Sequence, residues 1–137
     1  YLKSFPIKKK EVIEAVLSNK NNLKKIIKIV HKEIKKKLDI FLKKNKNKKI
    51  VILDIPLLLE NKINKKNDIL VFVDSEKTIV EKKLKKRINF NSKIYNKFKK
   101  IQFSQVYKKK KSNYIIKNNF REKDVKSEIK NILYRIL

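Results

Sequence analysis

The sequence predicts a three-layer α/β domain: a parallel sheet with helices on both faces. Two short apolar runs rich in β-branched residues, Ile50–Leu53 and Ile69–Val73, have the composition of strands covered on both sides. Between and around them apolar residues recur every three or four positions, as in the crossover helices that parallel strands need. A shorter run, Tyr114–Ile116, supplies a third strand. The crossovers are expected to be right-handed.

Taken in order, Glu11 to Ser18 carries Val12, Ile13, Val16 and Leu17 on one helical face. Asn19–Asn22 is a polar break. A longer helix follows, with Leu23, Ile26, Ile27, Val30, Ile34, Leu38, Phe41 and Leu42 as its stripe and lysines opposite. Asn45–Lys48 turns into the first strand. Leu57–Leu59 reads as a short apolar helix under the sheet edge and 61–67 as a loop. After the second strand, Asp74 or Ser75 is placed to cap a helix that reaches about Ile88. Ser92 caps a further helix through Ile94, Phe98, Ile101 and Gln105 to about Lys110. Asn118 and Asn119 turn the chain after the third strand. The last helix carries Val125, Ile129, Ile132, Leu133 and Ile136. These spans divide the chain into 1–48 helical, 49–74 core strands, 75–110 helical and 111–137 last strand and helix.

Composition narrows the function classes. A hydrophobic content of 41% over 137 residues supports one packed domain. With no Cys there are no disulfides, and one His with no Cys argues against a zinc site. No apolar run approaches the ~20 residues that span a bilayer, so a cytoplasmic protein is expected. The formal net charge of +27 favours anionic partners. Nearly all of it comes from Lys, however; Arg87, Arg121 and Arg135 are the only arginines. Base readout favours Arg, and the joint excess of Lys, Asn and Ile reads more simply as drift toward A- and T-rich codons. The chain has no Gly and no Met. Phosphate loops and tight turns use Gly, so the sequence is expected to be a fragment lacking an N-terminal part.

Asp54 follows the first apolar run. In open α/β sheets the ligand crevice lies beyond the carboxyl ends of the strands. A carboxylate there serves chemistry or holds the turn ahead of Pro56; position alone leaves both open. His31, beside Val30 on the long helix, reads as a structural histidine.

Six segments in order carry a resemblance: IVHKEI (29–34), LDIPLLLEN (53–61), NDILVFVD (67–74), EKKLKKR (81–87), KIQFSQ (100–105) and KSNYIIKNN (111–119). Together they resemble the C-terminal two-thirds of dephospho-CoA kinases, which make coenzyme A in its last biosynthetic step. Departures are Lys32 after the His where Pro is usual, Lys83 in place of a first lid Arg, Ser112 and Asn113 in place of Ala-Asp, and Phe120 where Gly often follows the Asn. No G-x-x-x-x-G-K-[ST] phosphate loop is present.

The resemblance implies a P-loop kinase-like sheet without its N-terminal strands, so that strands 50–55 and 69–74 flank an empty slot. It implies transfer of the ATP γ-phosphoryl group to the 3′-hydroxyl of dephospho-CoA with Mg²⁺. Arg87 and Lys83 then reach the ATP phosphates from a lid. Gln102 faces the closed site or holds the lid helix, and Asn118 approaches the adenine. Asp54 orders the metal's water shell or binds substrate, and His31 lines the acceptor side. No other catalytic residue, and no metal ligand, is expected among these residues. Alone, the chain is expected to bind ATP weakly or not at all and to lack kinase activity. Two alternatives stay open: a basic nucleic-acid-binding protein, and another small-molecule kinase of the same fold. Against the first, aromatics are not interleaved with the basic runs as stacking platforms. No specific nucleic acid and no membrane partner is expected.

Overall fold

The computed structural model describes residues 5–137. Its elements run α1 (Lys9–Ser18), α2 (Lys20–Lys44), β1 (Val71–Ser75), α3 (Lys77–Lys85), α4 (Ser92–Ile101), α5 (Gln105–Lys111), β2 (Tyr114–Asn118) and α6 (Glu122–Ile136). They fall into two compact units. The first comprises the residues up to Asp54 together with Asn91–Lys100; the second comprises Ile55–Phe90 and Ile101–Leu137.

The first unit is helical. Asn19 breaks the chain between α1 and α2 in an extended conformation, and its Oδ1 accepts the Asn21 N–H at 2.8 Å. That bond satisfies one of the orphan donors of the α2 start. Ala15, Val16 and Leu23 are buried where the two helices meet. Asn22 is buried among them, at 5% exposure, and its side-chain amide donates to the Ala15 carbonyl at 2.8 Å. Its burial is thus compensated. The last turn of α1 has no basic residue of its own. Lys97, from α4, donates to the Val16 carbonyl and brings a cation to that helix end.

The second unit holds the sheet. β1 and β2 pair in parallel, with Val71 opposite Tyr114 and Ser75 opposite Asn118. Ile116 is the buried centre of β2, against which α6 packs. Asn113 extends the pairing at its start: its N–H donates to the Leu70 carbonyl, and its Oδ1 accepts the Leu70 N–H, each at 2.8 Å. At the outer side of β2, the Lys117 N–H is taken by the Glu128 carboxylate of α6 at 2.6 Å. A side chain thereby occupies a position where another strand would pair.

Several sequence expectations are corrected. The described residues contain a two-stranded sheet, and the strand expected at 50–53 is not formed. Ile52 is 79% exposed. A β-branched run becomes a strand only against a hydrogen-bonding neighbour, and among the described residues the elements of its unit are helices. The expectation of a slot flanked by strands at 50–55 and 69–74 therefore loses its first strand. The second strand begins at Val71, two residues later than its apolar run. Leu57–Leu59 is a turn rather than a helix, because Leu57 and Lys62 take φ of 57° and 52°. The helix expected from Ser92 to about Lys110 is broken at 102–104. Ser104 caps α5 there by accepting the Tyr107 N–H at 3.2 Å, and Asn91, not Ser92, accepts the Ile94 N–H at the head of α4. Glu76, rather than Asp74 or Ser75, precedes α3, with no side-chain cap to the helix backbone.

Lys62 is exposed and left-handed. Left-handed backbone costs a non-glycine residue about 1–2 kcal/mol, partly offset by glycine's greater freedom in the unfolded chain. Lys62→Gly is expected to stabilise the fold by about 0.5–1 kcal/mol, read as a higher midpoint in urea. A lower midpoint would contradict the assigned turn.

Candidate functional site

The carboxyl ends of β1 and β2 lie side by side, because the two strands are parallel and in register through Ser75 and Asn118. Beyond them the chain turns on consecutive asparagines. Asn118 Oδ1 accepts the Phe120 N–H and Asn119 Oδ1 accepts the Arg121 N–H, both at 2.9 Å. The Asn119 amide also donates to Asp124 in the first turn of α6, at 2.6 Å. These bonds hold Phe120 at φ 63°, a region that a bulky side chain occupies at a cost of about 1–2 kcal/mol. The Lys83 ammonium of α3 stands 4.5 Å from the centre of the Phe120 ring. Asp74, near the end of β1, is paired with Lys109 of α5 at 2.7 Å. Its charge is therefore neutralised locally.

A second constellation lies where the 56–62 turn meets the segment after α4. The Glu60 side chain is 8% exposed; its Oε1 accepts the Phe103 N–H at 2.8 Å and the Lys108 ammonium at 2.7 Å. Burial pushes the Glu60 carboxyl up. The hydrogen bond from Lys108, the backbone N–H groups of Glu60 and Phe103, and the Lys108 charge outweigh burial and hold it below its usual range. Phe103 and Tyr107 meet edge to face, centroids 4.8 Å apart. Lys108 and Lys109 thus fasten α5 to two different segments, the 56–62 turn and β1.

The model of the dephospho-CoA kinase family matches residues 6–124. The chain belongs to the dephospho-CoA kinase family. It is 31% identical over 119 residues to the dephospho-CoA kinase of Wolbachia pipientis wMel, covering 85% of this chain and 60% of that protein. It is 31% identical over 121 residues to that of Fusobacterium nucleatum, covering 87% and 61%. With the Rickettsia conorii dephospho-CoA kinase it shares 30% identity over 132 residues, 96% of this chain and 68% of that one. The chain spans about three fifths of the length of the first two relatives.

Within this dephospho-CoA kinase family member, the sequence-expected site residues separate by unit. Lys83, Arg87, Gln102 and Asn118 belong to the unit with the paired strands; His31 and Asp54 belong to the helical one. Lys83 is exposed on α3 and rests on Phe120. Arg87 is exposed in the turn after α3, its N–H bonded to the Leu84 carbonyl at 3.1 Å and its own carbonyl accepting from Phe90 at 2.9 Å. Gln102 is exposed at the break between α4 and α5. Asn118 is half-buried and uses its oxygen for the turn. His31 is half-buried on α2, and Asp54 is exposed in irregular chain. Mg²⁺ in ATP sites takes one or two carboxylates plus phosphate oxygens and water. Among the described residues no three or more His, Cys, Asp or Glu side chains gather to hold a metal ion. They do not amount to a metal cage. No helix among them is long and apolar enough to cross a membrane.

The sequence assigns no site role to Glu60 or Phe120. Glu60 carried one signal: an acid closing an apolar run, LLLE, in a chain with 40 basic and 13 acidic residues. Phe120 was visible as a departure from the usual Gly, and its left-handed backbone is the property for which Gly is used.

A carboxyl held below its unfolded value adds stability at pH above that value, about 4.3 for Glu. The contribution fades as pH falls through the lower, folded value. Glu60→Ala is expected to cost about 1–2 kcal/mol at pH 7, where Lys108 and the Phe103 N–H lose their acceptor. The gap from wild type should close in acid, below the ordinary glutamate range. Urea midpoints measured from pH 7 to pH 3 test this; a gap independent of pH would sink the assignment.

Proposed function

We propose that this chain forms the lid and the adenine-side strand end of an ATP-dependent kinase that phosphorylates the 3′-hydroxyl of dephospho-CoA, giving coenzyme A. In that reaction the ribose 3′-oxygen bonds to the γ-phosphorus, the bond from the γ-phosphorus to the β–γ bridging oxygen breaks, and the hydroxyl proton leaves to a base. Catalysis of this kind is positioning and charge neutralisation. Arg87 would neutralise charge on the transferring group through its planar fork, with Lys83 as a second, point-like cation. Asn118 would meet the adenine at the end of β2, and Gln102 would face the closed site or hold the lid helix. His31 and Asp54 would serve the acceptor side. Mg²⁺ would enter as part of the ATP substrate. The fold proposed for the whole is a three-layer P-loop kinase sheet, with 1–48 on the acceptor side, 49–74 feeding the core, 75–110 as the lid and 111–137 closing the domain.

One observation supports this reading above the others. The family match covers residues 6–124, and in the second unit β1 and β2 pair in parallel, Asn118 ending β2 beside Ser75. That end is where α/β sheets bind ligands. The test is coenzyme A formation from dephospho-CoA and MgATP by the complete polypeptide carrying these residues. Product formation is expected. Turnover of another nucleoside or small alcohol, with none of dephospho-CoA, would replace the substrate; no phosphoryl transfer to any of them would overturn the reading.

A further inference from the structure

We propose that Phe120 is a base-stacking face at the nucleotide site and that Lys83, which rests on its ring, exchanges onto the phosphates when a nucleotide binds. The inference rests on the kinase reading and adds to it a residue where the family often has Gly. Phe120 lies just past the carboxyl end of β2, is 39% exposed, and has the Lys83 ammonium 4.5 Å from its ring centre. Its position is over-determined: Asn118 Oδ1 holds its N–H, Asn119 Oδ1 holds the next N–H, and Asn119 is tied in turn to α6. Backbone strain kept up by such a set of bonds is typical of ligand clamps. The backbone that carries the ring is therefore fixed, whereas Lys83, exposed on a flexible stem, can move off the ring. Of the carboxylates near these strand ends, Asp74 is paired with Lys109 and Glu122 with Lys126, while Asp124 is held by the Asn119 amide.

An aromatic face that holds a cation also accepts the π-face of a base, and stacking tolerates any base. Binding a nucleotide would then trade one cation–ring contact for an ion pair with phosphate and a ring–base stack. Phe120→Leu separates the two halves. Without the ring, the base loses its platform while Lys83 is left unoccupied for phosphate.

The experiment measures affinities of the complete polypeptide for ATP and for inorganic tripolyphosphate, in wild type, Phe120→Leu and Phe120→Tyr. Phe120→Leu is expected to weaken ATP about tenfold and to leave tripolyphosphate unchanged or up to about fivefold tighter. Phe120→Tyr, which keeps the ring, should behave as wild type. Equal weakening of both ligands by Phe120→Leu would mean a structural role only and would overturn the inference, as would no change in the ATP-to-tripolyphosphate ratio. Wild type binding neither ligand would overturn the kinase reading along with it.

Discussion

The 137-residue polypeptide by itself is expected to form no measurable coenzyme A from dephospho-CoA and MgATP. The physical reason is its composition: it contains no Gly. ATP-using kinases of this fold cradle the β- and γ-phosphates on backbone N–H groups, and side chains at those positions would keep the chain too far away. Lys83 and Arg87, both exposed, offer side-chain cations and no backbone N–H cradle. An oxyanion-type donor is typically worth 10²–10³ in rate, and a phosphate loop supplies several donors at once. Added to the same reaction, a segment of a relative that carries a glycine-rich loop is the matching control. The measurement is coenzyme A by chromatography after overnight incubation. Turnover by the 137 residues alone would mean that phosphate is bound by some other arrangement and would remove the basis for assigning Arg87 and Lys83 to a lid.

What could be read in advance follows the range of the interactions that decide it. The stripes of α1, α2 and α6 are local, so their spacing shows in the sequence; the helices form on those stripes, but α1 starts two residues before Glu11 and α2 starts at Lys20, so only Asn19 of the expected 19–22 break is non-helical. The strand at Val71–Ser75 and that at Tyr114–Asn118 were legible because they pair with each other. Their ends were displaced because Asn113, a side-chain mimic of a ladder partner, bonds Leu70 before the regular pairing starts. Ile50–Leu53 is as apolar and β-branched as Ile69–Val73 but has a different fate. Composition states what a segment tolerates, whereas a ladder requires a partner elsewhere in the chain. The break at 102–104 was hidden for a related reason. Ile94, Phe98, Ile101 and Gln105 keep helical spacing across it, while the forces that break it, the Ser104 cap and the long-range grip of Glu60 on the Phe103 N–H, leave no trace in periodicity.

The candidate site divides along the same line. Asn118 was foreseen as a strand-end residue, and its carboxyl-end position follows from parallel pairing. Its bond to the Phe120 N–H is the turn geometry that Asn favours, so the residue carries a structural duty as well as any ligand contact. The resemblance implies a lid role for Lys83, while its ammonium rests on an aromatic ring from a segment 37 residues later, a pairing visible only in three dimensions.

Arg87→Ala is expected to lower kcat of the complete polypeptide about 10²- to 10³-fold with a much smaller change in KM for dephospho-CoA. Arg87 sits in the turn after α3 with its backbone bonded on both sides, to Leu84 and from Phe90, so the side chain can be removed without loosening the turn. It is exposed, and folding stability should stay within about 0.5 kcal/mol of wild type. A guanidinium offers two parallel donors to the equatorial oxygens of the transferring group, where negative charge spreads in the transition state. Arg87→Lys keeps the charge but not the fork and should recover only part of the loss. The family usually has Arg where Lys83 stands, so Lys83→Arg should raise kcat, or at least partly offset Arg87→Lys, if both cations face the same phosphates. The pattern to be measured is therefore ordered: wild type or Lys83→Arg fastest, Arg87→Lys between, Arg87→Ala slowest. Equal rates for all four would remove Arg87 from the reaction and make the basic stretch 82–87 a solvated helix end.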